Sequence, residues 1–103
     1  MDVIYIAGSY RSDCENGVFE NIIRARNAAV KLWQQGYAVV CPHLNSAFMG
    51  GICDDKAFLE GDLAILRRCD CIYLLKGWEL SQGARAEHEL AVKIGLEIMY
   101  ESG

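Results

Sequence analysis

Residues 70–95 read DCIYLLKGWELSQGARAEHELAVKIG, and their reading decides the fold. Cys71 to Leu75 form a continuous apolar run with no alternation of polar and apolar positions. A strand apolar on both faces must be covered on both faces, which is the habit of parallel sheets. Past the loop that ends at Gly83 the period changes. Ala84, Glu87, Ala91 and Ile94 recur at steps of three and four with Leu90 beside them, as on a helix laid against a sheet. A strand followed at once by a helix is half of a βαβ unit.

The rest of the chain repeats that unit. DVIYIAG (2–8) reads as a buried strand ended by Gly8. VFENIIRARNAAVKLWQQG (18–36) is a helix with Ile22, Ile23, Ala29, Val30 and Trp33 as its apolar positions and Gly36 as its stop. YAVVCP (37–42) is a second strand ended by the only proline, and HLNSAFMGGIC (43–53) is a loop. DDKAFLEGDLAILRRC (54–69) is a helix with Asp54 as N-cap and Arg67 and Arg68 in its last turn. Residues 70–77, 81–95 and 96–100 add a strand, a helix and a short last strand. The order β-α-β-α-β-α-β predicts an α/β fold over a single domain, residues 1–103. It is a flavodoxin-like doubly wound parallel sheet of about four strands in the order 2-1-3-4, with helices on both faces. So small a sheet buries little area, so a homodimer or higher homo-oligomer is expected.

The bulk composition narrows the function classes. In 103 residues, 52% are hydrophobic and only one is Pro, as in an ordered globule. A net charge of −4 supplies no footprint for a nucleic-acid polymer. No apolar stretch is long enough to span a membrane, and MDVIYIAGSY lacks the pattern of a secretory signal. The odd set Cys14, Cys41, Cys53, Cys69 and Cys71 reads as reduced thiols of a cytoplasmic protein. Cys41-x-His43 and Cys69-x-Cys71 lack the C-x2-C spacing of zinc sites, so no metal is expected.

In such folds ligands bind beyond the carboxyl ends of the strands, where the strand order reverses. The loops meeting there are GSYRSD (8–13), PHLNS (42–46, with His43 and Asn45) and GWELSQG (77–83). Glu87 is an acid on the inward stripe of its helix. Asp62 is the only acid on the stripe Phe58, Asp62, Ile65 and Cys69 of the preceding helix, which Leu59 and Leu66 flank. An unpaired buried carboxylate is costly. Either each is paired with Arg11, Arg24 or a loop N–H, or the two form a catalytic pair in which one raises the other's pKa. Gly8, Ser9 and Arg11 can hold an anion or make a plain turn. Ser81 suits an N-cap as well as an anion site, and Trp78 and His43 suit loop anchors as well as base contacts. Ser81 and His88 lie seven residues apart and cannot form a nucleophile dyad.

YIAGSYR, VVCPHLN and EGDLAILRRCDCIYLLKGWELSQGARAEHELA, in this order and spacing, span nearly the whole chain. Together they make the sequence resemble the nucleoside 2-deoxyribosyltransferase-like superfamily, and within it small DUF4406-type proteins. The better-understood relatives are deoxyribosyltransferases and 2'-deoxynucleoside 5'-phosphate N-hydrolases, which cleave N-glycosidic bonds. The resemblance implies that Glu87, four residues after Gly83, is the nucleophile and Asp62, in DLAIL, its acid/base partner. Tyr5 would position Glu87. Ser9, Arg11, Ser81 and the N-terminus of the last helix would hold a 5'-phosphate, and Gly8, His43, Asn45, Trp78 and Gly83 would contact the ligand. No cofactor is implied. A non-catalytic nucleotide-binding or sensor module, an NAD glycohydrolase and a structural assembly subunit are the alternatives.

Overall fold

The computed structural model describes residues 1–102. Its elements are β1 (Val3–Ala7), α1 (Glu15–Gln34), β2 (Ala38–Val40), α2 (Pro42–Asn45), α3 (Asp55–Leu66), β3 (Cys71–Leu74), α4 (Gln82–Ile94) and β4 (Glu97–Tyr100), with a 3-10 turn at Trp78–Leu80 before α4. The four strands form one parallel sheet in the order β2-β1-β3-β4. The α/β doubly wound architecture expected from the alternating pattern is the one observed.

Strand period sorts the core into two layers. Ile4 and Ile6 of β1 point to one face, where they meet Cys71, Leu75 and the α1 residues Ala25, Ala28, Ala29 and Leu32. Tyr5 and Ala7 point to the other, against Ile72, Leu74, Leu66 of α3 and Ala84, Leu90 and Ala91 of α4. So α1 covers one face, while α3 and α4 share the other. Cys69 lies before β3 begins and packs in the layer of α3 and α4, whereas Cys71 packs in the layer of α1, so they make neither a disulfide nor a shared metal site.

Several boundaries differ from the sequence expectation for identifiable reasons. α1 starts at Glu15, and its buried stripe is Ile22, Ala25, Ala28, Ala29 and Leu32, whereas Ile23 and Trp33 are partly exposed to solvent. Small alanines let the helix approach the sheet closely, and a hydrophobicity count undervalues them. Pro42 ends β2 by starting a helix, because its fixed φ suits the first helical position. Asp54 holds the N-cap position of α3 without a side-chain cap bond, and Arg67 and Arg68 lie just past its end. Gly95 closes α4 in the left-handed region (φ 81°), and no helix among the described residues is long and apolar enough to cross a membrane.

Candidate active site

The chain reverses direction across the sheet between β1 and β3, and beyond the carboxyl ends of those strands lies a cleft of about 880 Å³. That volume falls within the range of small-molecule sites. Gly8, Ser9, Arg11, His43, Asp62, Ser81, Gly83 and Glu87 all line it.

Glu87 is buried at 7% exposure on α4. Its Oε2 accepts a hydrogen bond from the hydroxyl of Tyr5, which is itself fully buried on β1. The strand period thus aims Tyr5 at α4, and the helix period aims Glu87 back at β1. Burial, and secondarily the charge of Asp62, push the Glu87 carboxyl from 4.5 up to about 7, while the Tyr5 hydrogen bond pulls the other way. Burial pushes Asp62, half-buried on α3, up to about 6. Burial and the two facing carboxylates hold the Tyr5 hydroxyl far above its usual range, so it stays protonated and donates to Glu87.

Ion pairing does not account for these acids. Arg11 pairs with Asp55, Arg24 with Glu101 and with the Lys76 carbonyl, and among the described residues no cation pairs with Glu87 or Asp62.

His43 is buried on α2 with Nε2 3.1 Å from the Ser9 carbonyl oxygen, and its Nδ1 has no partner. Burial lowers its pKa and a carbonyl can only accept, so His43 is the neutral ring with the proton on Nε2. The contact fixes the loop after β1 against α2. Ser81 caps α4 by accepting from the Ala84 N–H at 3.2 Å. The Gln82 and Gly83 N–H groups of the same first turn precede any intrahelical bond.

The two glycines have different origins. A Cβ on Gly8 would lie 2.6 Å from a Leu75 side-chain carbon, so packing alone forbids a larger residue there. A Cβ on Gly83 would meet only Ser81 Oγ, at 4.0 Å. Nothing in the fold demands glycine at that position, and what it leaves open is the cleft side of the α4 N-terminus.

Asn45 and Trp78 do not reach the cleft. Asn45 is two residues from His43 on α2, a step that turns it to the other side of the helix, where it lines a shallow groove with Trp33, Val40 and Leu44. Trp78 packs its ring 4.5 Å from His88 and 6.4 Å from Tyr100, because the 3-10 turn presents Leu80 to the cleft instead. The cleft also includes residues not anticipated from the sequence as ligand contacts. Asp55, Lys56, Phe58 and Leu59 bring the first half of α3 to it, and Gln82 adds an amide. The inward stripe that marked Asp62 had already placed Phe58 and Leu59 on the same face, but nothing in the sequence separated Asp55 from an ordinary first-turn acid.

A second grouping lies at the opposite end of the sheet. Register places Cys71 beside Glu97, and ligand atoms of Asp2, Cys71 and Glu97 lie within 4.8 Å of one another. Burial and these carboxylates push the Cys71 thiol up to about 12, so it is protonated and donates to Glu97 at 3.5 Å.

The cleft therefore combines two carboxylates raised toward neutrality, a tyrosine donor behind one of them, and a helix N-terminus opened by a glycine. No curated protein matches the sequence. The family model described as Domain of unknown function (DUF4406) matches residues 2–100, nearly the whole chain, and the protein belongs to that family.

Proposed function

We propose that this cleft cleaves or transfers the N-glycosidic bond of a (deoxy)nucleoside or nucleoside 5'-monophosphate, with Glu87 as nucleophile. Glu87 carries the reading. It is a buried carboxylate without a cation, held by Tyr5 and facing Asp62 at the wall of a ligand-sized cleft. Such a group is costly to a fold and useful to a glycosidase.

In the proposed reaction ionised Glu87 attacks C1' as the bond to the base breaks, and Asp62 gives its proton to the departing nitrogen. Asp62, now a carboxylate, takes a proton from water, and the resulting hydroxide displaces Glu87 from C1'. A second base in place of water gives transfer. Tyr5 donates to Glu87 throughout and favours its ionised form. Ser9, Arg11, the first N–H groups of α4 and the opening at Gly83 suit a 5'-phosphate, whose fixed position supplies a proximity advantage. Phe58, Leu59 and Leu80 offer apolar walls for the base.

Both carboxyls are raised, mainly by burial, so the pair holds one proton near neutral pH, the state in which one carboxylate attacks and the other acid donates.

Incubation with deoxynucleotides, ribonucleotides, nucleosides and NAD, with base release followed by chromatography, tests the proposal. Release by wild type and its loss in Glu87→Ala is the expected result. No release from any of them overturns the enzyme reading, and binding without turnover would make the protein a nucleotide sensor. A Glu87→Ala variant as fast as wild type removes Glu87 from the reaction.

A further inference from the structure

The mouth of the cleft carries an ion pair whose acidic member has no part in the proposed chemistry. Arg11, in the loop after β1, places Nη2 2.5 Å from Oδ2 of Asp55 in the first turn of α3. Both residues line the cleft, and both side chains are 73% exposed. An ion pair so exposed contributes little to stability, so holding the loop to α3 is a weak reason for it. Its stronger effect is on the charge that a ligand meets. Among the described residues, Arg11 is the only guanidinium lining the cleft, and Asp55 neutralises it while the cleft is empty. The other lining cation, Lys56, has Glu60 beside it at 3.8 Å. The donors left at this end are uncharged: the Ser9 hydroxyl, the Gln82 amide and the first N–H groups of α4.

We propose that Asp55 is a specificity-determining residue for the 5' end of the ligand, holding Arg11 until a phosphate replaces it. This rests on the reading of that end as an anion site. The exchange is balanced, with one anion leaving the guanidinium for water and another leaving water for the guanidinium, and no proton moves. A carboxylate on the same chain competes at every encounter, so all phosphate-bearing ligands are weakened by a common factor. A ligand that ends in a 5'-hydroxyl meets no such competition. Asp55 thus narrows the preference for nucleotide over nucleoside, and a phosphate succeeds because it brings up to two charges and three acceptor oxygens.

Calorimetric titration of the intact protein with inorganic phosphate, a nucleoside 5'-monophosphate and the matching nucleoside tests this, using wild type, Asp55→Asn, Arg11→Gln and the double variant. Asp55→Asn tightens both phosphate-bearing ligands about three- to fivefold at low salt, the range set by an exposed ion pair. The gain shrinks in about 0.5 M salt, is absent for the nucleoside, and disappears when Arg11→Gln is also present. Unchanged or weaker phosphate binding in Asp55→Asn overturns the proposal, as does a gain that survives Arg11→Gln or extends equally to the nucleoside. Failure of every variant to bind phosphate overturns it as well. The glycosidic reading is judged separately, by nucleoside binding and base release. Asp55 is a surface residue, and circular dichroism melting confirms that each variant is folded.

Discussion

Replacing Glu87 by Gln should make the protein more stable, by an amount that depends on pH in a calculable way. Folding raises the Glu87 carboxyl from 4.5 to about 7, mainly by burial. For an acid whose pKa is raised in the fold, the unfolded chain ionises first. Stability is therefore undiminished below about pH 4.5, falls as pH rises through that value toward 7, and stays low above it. At about 1.4 kcal/mol for each pH unit, the full loss is about 3 kcal/mol. Gln keeps the size of Glu and an oxygen to accept from Tyr5, but it never ionises. The two proteins should match at about pH 4 and below and diverge by about 3 kcal/mol at pH 8. For a domain of this size that is a gain of more than about 10 °C in Tm. Urea unfolding of both proteins between about pH 4 and 9 reads the difference directly. A shallower slope persists in the variant between about pH 4 and 6, because burial also raises Asp62. A difference that is constant with pH, or a variant less stable at pH 8, would refute the argument that an uncompensated buried carboxylate strains the fold.

Other substitutions probe neighbouring parts of the site. If Asp62 donates the proton, base release by wild type follows a bell centred near pH 6.5, between the two raised values, and Asp62→Asn loses the alkaline limb. A profile that only rises through about 7 would leave Asp62 an orienting role. Gly83→Ala has room for its methyl, 4.0 Å from the nearest side-chain atom, and should stabilise the fold by up to about 1 kcal/mol of helix propensity, read by urea unfolding. Its nucleotide affinity should fall, and an unimpaired affinity would show that ligands do not approach that backbone. Ser81→Ala removes the cap on the Ala84 N–H and should cost about 1 kcal/mol in urea unfolding.

Much of this protein is local information. Continuous apolar runs call for a sheet covered on both faces, and the change from such runs to a period of 3.6 marks the three long helices. That helical period also singles out Glu87 and Asp62, because an acid on an inward stripe is conspicuous without any structure. Tertiary structure decided the rest. Strand parity and register, which depend on how β1 pairs with β3, bring the Tyr5 hydroxyl to Glu87 across 82 residues of sequence. The direction a short helix or turn takes is equally non-local. Asn45 and Trp78 sit in cleft-forming segments yet turn away from the cleft, while Leu80 turns toward it. Asp55 was invisible in sequence because its partner is an arginine 44 residues away, and pairing of exposed charges leaves no periodic trace. Periodicity reports which face a residue occupies, and only the packed fold reports what stands opposite.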